Sequence, residues 1–106
     1  ALPQAADYLM RLEGISTVLV FGVVDDRIEI SARSKDSRVD LDSVMRDAFG
    51  DVGSGGGHRE MAGAQVPLGV FSDMAEADDK MIELVSGTVK KRFFGSMNLQ
   101  EEEDED

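Results

Sequence analysis

Two runs joined by a pair of aspartates limit the folds open to this chain more than any other feature. "TVLVFGVV" (Thr17–Val24) carries no charge, and "RIEISARS" (Arg27–Ser34) begins after only Asp25 and Asp26. Runs of this length, rich in β-branched and aromatic residues, read as strands. A two-residue connection predicts an antiparallel hairpin, although the stronger Asp-Gly turn signal is absent. The second run alternates, with Ile28, Ile30 and Ala32 facing one way and Arg27, Glu29, Ser31 and Arg33 the other. The unbroken apolar character of the first run predicts burial on both of its faces.

Helical periodicity surrounds this hairpin. In "PQAADYLMRLEG", Pro3 suits a first turn, Ala6, Leu9, Met10 and Leu12 share an apolar face, and Gly14 is the stop. Asp40–Gly50 reads as a helix capped by Asp40, with Leu41, Val44, Met45 and Ala48 as its core stripe and Gly50 as its end. A glycine-rich loop follows. A short strand is then expected in "GAQVPLGV", with Pro67 at an edge or a strand end. A longer helix over Ser72–Arg92 closes the pattern. Ser72 or Asp73 would cap it, Met74, Ala77, Met81, Val85 and Val89 mark its face, and Lys90, Lys91 and Arg92 fall in its last turn, where the helix dipole favours cations. The order α-β-β-α-(Gly loop)-β-α predicts an α/β (α+β) domain, a small mixed β-sheet flanked by helices.

Length and charge bound the rest. The chain has 106 residues, enough for one domain with a modest core. It has no Cys, which excludes disulfides and thiolate zinc sites and fits a reducing cytoplasm. It carries no run long enough to span a membrane. Its net charge is −11, from 22 acidic and 11 basic residues. The tail "EEEDED" supplies six of those acids, leaving 16 against 11 over residues 1–100. Residues 101–106 have nothing apolar to bury and read as a disordered acidic tail after a domain of residues 1–100. An acidic body with four Lys suits a protein kept soluble in high salt. It fits poorly a non-specific nucleic-acid binder, which needs a basic stripe. Any phosphate must therefore meet a small, local site.

Two stretches could supply one. Gly55, Gly56 and Gly57 precede His58, the only histidine. Glycines let backbone N–H groups converge on an anion, and an imidazole adds a donor. A turn with a surface histidine is the alternative, and on spacing alone the simpler one. The stretch is not a P-loop, since no Lys-Ser or Lys-Thr follows, and no strand feeds it as in a dinucleotide fold. The second candidate is Arg33 with Ser34 at the end of the alternating strand, where a guanidinium fork can hold phosphate. An ordinary solvated face is the alternative there. Catalysis fits poorly: the chain has no second His, no Cys and no carboxylate pair whose spacing forces proximity.

The order of these features resembles a known family. "ISARSKDSRVDLDSVMRDAFGDVGSGGGHREMAGAQVPLG" is similar to the DHH-associated domain of DHH-type phosphoesterases, with its Ser-x-Arg-Ser strand end, its short helix ending in Phe-Gly, and its glycine run closing on His with Ala-Gly shortly after. That family includes RecJ-like exonucleases, oligoribonucleases and cyclic-dinucleotide phosphodiesterases. The resemblance implies that a DHH domain holds a pair of divalent metal ions, usually manganese, which activate water. The associated domain would close over the cleft, with Gly55, Gly56, Gly57 and His58 matching its loop and Arg33 and Ser34 its strand-end pair. Two departures stand out. Ser54 takes the place of a fourth glycine, and Met61-Ala62-Gly63 replaces Ala-Ala-Gly.

This chain has no Asp-His-His motif, so it reads as a detached C-terminal domain, inactive alone, whose catalytic partner is an upstream DHH domain of the same polypeptide. An oligonucleotide or a (cyclic di)nucleotide is the expected substrate, in the cytoplasm, without membrane contact, and a homodimer is a further expectation. Two alternatives stay open. One is an RNA-binding or oligomerisation module, as in alanyl-tRNA synthetases, and the other is a regulatory nucleotide sensor.

Overall fold

Strands β1 (Thr17–Val24) and β2 (Arg27–Ser34) pair in full antiparallel register, from Thr17 opposite Ser34 to Val24 opposite Arg27. They belong to a computed structural model that describes residues 2–69 and 78–105. Asp25 turns the hairpin with φ 56°, a left-handed conformation that a short polar side chain tolerates. The order of elements is α1 (Leu2–Leu9), β1, β2, α2 (Leu41–Phe49), β3 (Ser54–Gly57), β4 (Met61–Pro67) and α3 (Asp78–Glu105). The α+β class holds, and every strand pairing is antiparallel, in the order β1-β2-β4-β3.

The glycine stretch is where expectation and structure part. Gly55–Gly57 are not a loop between helix and strand but part of the edge strand β3, paired with β4. Backbone pairing with β4 supplies what these residues lack in side-chain propensity. Pro67 does end its strand. β1 also departs from expectation, because it lies at the opposite edge instead of being buried on both faces. Only Val18 in it is buried, and Val23 is exposed.

The alternation of β2 sorts the sheet into two faces. Ile28, Ile30 and Ala32 stand opposite Val66, Ala64 and Ala62 of β4, and all six are buried. Helices α2 and α3 pack on this face. The predicted stripe Leu41, Val44, Met45 and Ala48 is buried, together with Phe49, Val85, Val89 and Phe93. Burying a side chain of the size of Ile28 or Leu41 contributes on the order of 1.5–3 kcal/mol. Ser96 ties the two helices by donating to the Val44 carbonyl at 3.1 Å.

Asp40 stands at the start of α2 but makes no side-chain cap bond. The Leu41 amide donates instead to the Arg59 carbonyl at 2.9 Å, and the Asp40 carboxylate faces the Arg59 guanidinium at 3.7 Å. α3 runs well past Arg92, so Lys90, Lys91 and Arg92 lie within the helix and its dipole does not explain them. Arg92 reaches α2, donating to the Ala48 carbonyl at 3.0 Å and to Asp51 at 2.8 Å. The acidic run read as disordered continues this helix to Glu105, in keeping with the good intrinsic helix propensity of Glu. The expected caps Ser72 and Asp73, with Met74 and Ala77, lie outside the described residues. Among the described residues no helix is long and apolar enough to cross a membrane.

α1 covers part of the other face, above β1 and β2. It is shorter than the periodicity predicts: Ala6 is buried under it, whereas Leu12 lies beyond its end and is exposed. This leaves the outer face of β4 and β3 open, and the candidate site lies at one end of the sheet, between α1 and the β3–β4 connection.

Candidate functional site

Backbone bonding around one hairpin loop assembles the site. His58, Arg59 and Glu60 connect β3 to β4, and the loop is closed by the His58 amide donating to the Met61 carbonyl at 2.7 Å. The Ser34 amide donates to the Glu60 carbonyl at 3.0 Å, which docks the loop against the end of β2. Two motifs 24 residues apart thereby share one end of the sheet. Arg33 sits opposite Met61 on the outer face.

The result is an open concavity of about 410 Å³. Asp7 of α1 and Met10 just beyond its end form one wall, Arg33 and Met61 the floor, and His58 and Glu60 the far rim. The Arg33 side chain is only 11% exposed. Its Nε donates to Asp7 Oδ1 at 2.8 Å, and its Nη1 donates to the Ala32 carbonyl at 2.9 Å. Ser34 lines the same concavity but is 4% exposed. Its hydroxyl lies 2.9 Å from that of Thr17 and accepts the Asp36 amide at 3.2 Å, so it is committed to the fold.

The glycines lie apart from this cluster. Gly55 and Gly56, with Gly63 opposite Gly56, line a second open concavity of about 530 Å³ rimmed by Ser31 and Gln65. Gly57 donates its amide to Asp42 Oδ1 at 2.8 Å, and Arg46 Nε donates to the same oxygen at 2.9 Å. The Gly57 amide bond, reinforced by the bond and charge of Arg46 and the charge of His58, holds the Asp42 carboxyl below its ordinary pKa. Gly57 has φ 151°, and an added Cβ would lie 2.7 Å from the Met61 carbonyl oxygen. Glycine is therefore required at this position by the backbone itself.

Of the six residues singled out in the sequence, Arg33, Ser34 and His58 come together, Gly55 and Gly56 line a separate concavity, and Gly57 is held by α2. Three residues that the pattern did not single out complete the arrangement: Asp7, Asp42 and Arg46. An i,i+4 pair of Asp42 and Arg46 is legible on a helix. Its bond to Gly57 is not. Among the described residues no three His, Cys, Asp or Glu side chains come close enough to hold a metal ion. The resemblance assigns the divalent metal pair to a DHH domain and not to these residues, and no metal-dependent step is assigned to them.

An antiparallel sheet with helices on both faces, and an open concavity lined by Arg33 and His58 at one end, defines a small α+β domain. The chain belongs to the DHHA1 domain family, which it matches over residues 1–91. It is 43% identical over 103 residues to the uncharacterized protein MJ1633 of Methanocaldococcus jannaschii. That match takes in 97% of this chain but 20% of the relative, so the chain spans about a fifth of that protein's length. Its fold is similar to the C-Ala domain from Aquifex aeolicus alanyl-tRNA synthetase, with a TM-score of 0.52 and 22% identity over 83% of this chain and 78% of that one.

Proposed function

We propose that this domain is the substrate-holding part of a DHH-type phosphoesterase, gripping a phosphate of a nucleotide or short oligonucleotide between Arg33 and His58. The observation that carries this reading is that two motifs far apart in sequence meet in one open concavity, which both Arg33 and His58 line. The guanidinium would offer paired N–H donors to phosphate oxygens, and the imidazole a further one from the opposite rim. Gly55 and Gly56 would leave the adjoining sheet face bare for the rest of the ligand. In this reading the hydrolytic chemistry, with its manganese ions, belongs to a DHH domain of the same polypeptide, and the present chain binds without cleaving.

The likeness to a tRNA synthetase domain raises a module for RNA or self-association as the competing reading. The net charge of −11 weighs against it, because extended nucleic-acid surfaces depend on Lys and Arg. The deciding experiment is an NMR titration of the domain with a mononucleotide and with a short oligoribonucleotide, beside Arg33→Ala and His58→Ala. Shifts centred on Arg33 and His58 and lost in both variants support a phosphate grip. Shifts spread over other surfaces and indifferent to both substitutions would favour the competing module.

A further inference from the structure

The geometry points to Asp7 as an internal competitor for the Nε edge of Arg33, a carboxylate latch that must leave before a phosphate is gripped along that edge. This inference rests on the phosphate-holding reading and specifies how that site is regulated. A guanidinium can hold phosphate through two parallel N–H bonds along either of two edges, Nε with Nη2 or Nη1 with Nη2. The single N–H of Nε is fully used, and Nη1 has spent one of its two N–H groups. Nη1 donates to the Ala32 carbonyl, and Nε donates to Asp7 Oδ1.

The two partners differ in what it takes to remove them. The Ala32 carbonyl is fixed in the backbone of β2, a strand paired on both sides. The Asp7 carboxylate is a side chain on α1, 55% exposed and free to rotate into solvent. The Nε edge can therefore be vacated without disturbing the sheet. Asp7 lines the same concavity as His58, so its carboxylate stands on the approach that a phosphate would take. Glu60 on the rim adds a second negative charge against entry.

Exchange of one anion for another has two consequences. The latch weakens every phosphate held along the Nε edge by the same factor, because each must displace the same carboxylate. That factor is modest, about threefold to fivefold, since a partly exposed ion pair is weak. Ligand binding also frees Asp7 and so loosens the hold of α1 on the sheet. By reciprocity, anything that draws α1 away from Arg33 tightens phosphate binding to the same extent.

The test is an NMR titration of the whole domain with inorganic phosphate and with AMP, following the Arg33 Nε–H signal and the Asp7 amide. Wild type is compared with Asp7→Asn, Asp7→Ala and Arg33→Ala. Both Asp7 variants should bind phosphate about threefold to fivefold more tightly, and in wild type the Arg33 and Asp7 signals should move together at one midpoint. Arg33→Ala should abolish binding. Unchanged or weaker binding by the Asp7 variants, with wild type still binding through Arg33, would overturn the latch and leave the phosphate site standing, with Asp7 as its positioning residue. No response of Arg33 or His58 in any form, including Asp7→Ala, would sink both readings.

Discussion

Gly57 and Asp42, 15 residues apart, are joined by a 2.8 Å hydrogen bond from the Gly57 amide to Asp42 Oδ1. The bond fastens the outer edge of β3 to α2, which is separated from the end of β2 by only the six residues 35–40. It also caps an edge-strand donor that would otherwise be open to pairing with another chain. His58 follows directly, so the aim of the imidazole depends on a helix that contributes nothing else to its concavity.

Asp42→Ala should release that edge. The Gly57 amide is expected to lose hydrogen-exchange protection, and the loop signals of His58–Glu60 to broaden or shift, while the core signals of Ile28 and Val66 stay in place. Acid should do the same to the wild type. A carboxyl whose folded pKa is depressed contributes stability above its unfolded value, about 3.9 for Asp, and loses it as pH falls through the lower folded value. An NMR pH titration should therefore show the Gly57 bond intact at pH 5 and opening only below about pH 4.

Gly57→Ala tests whether the glycine serves the backbone. At φ 151° any side chain is strained by about 1–3 kcal/mol, before the contact with Met61 is counted. Urea denaturation should show at least this loss. A neutral substitution would mean that β3 relaxes freely and that the glycine answers to a ligand alone.

Ser34 is expected to answer to stability. Ser34→Ala removes the partner of the Thr17 hydroxyl and the acceptor of the Asp36 amide, at a cost of about 1–2 kcal/mol. Thermal unfolding would read this as a drop of several degrees for a domain of this size. A melting temperature equal to that of wild type would show the hydroxyl to be free for ligand.

Neighbouring phenylalanines on α3 should behave oppositely. Phe93 is 1% exposed and Phe94 56% exposed. Phe93→Ala should cost about 3–5 kcal/mol, a large part of the stability of a small domain. Phe94→Ala loses only an edge-to-face contact with Phe93, on the order of 1 kcal/mol. Equal urea midpoints for the two variants would show that α3 is not packed as described.

How much of this was legible beforehand follows from the range of the forces involved. The hairpin, its Asp25 turn, the stripe of α2 and the inward set Ile28, Ile30 and Ala32 rest on local periodicity, so they could be read from sequence. The end of α1 could not be read, because Leu12 continues the apolar pattern where no sheet lies beneath it. The strand β3 was hidden for a related reason. Ser-Gly-Gly-Gly has no strand propensity of its own and becomes a strand only because β4 offers it backbone partners. Asp40 shows the same limit at a helix end, where its side chain makes no cap bond and the first helical amide, that of Leu41, is taken by the distant Arg59 carbonyl.

The sequence by itself determined which residues could face an anion, since Arg33 and His58 are types with donors to offer and sit beside turn-forming stretches. It also determined that the surface around them is acidic. Only the tertiary structure decided that these two residues share a concavity, that Gly57 is bound to α2 and that Asp7 already holds Arg33. The physical reason is that each of these contacts spans 15 residues or more of chain. Such contacts are set by sheet order and by the docking of the 58–60 loop, not by any preference encoded along the neighbouring backbone.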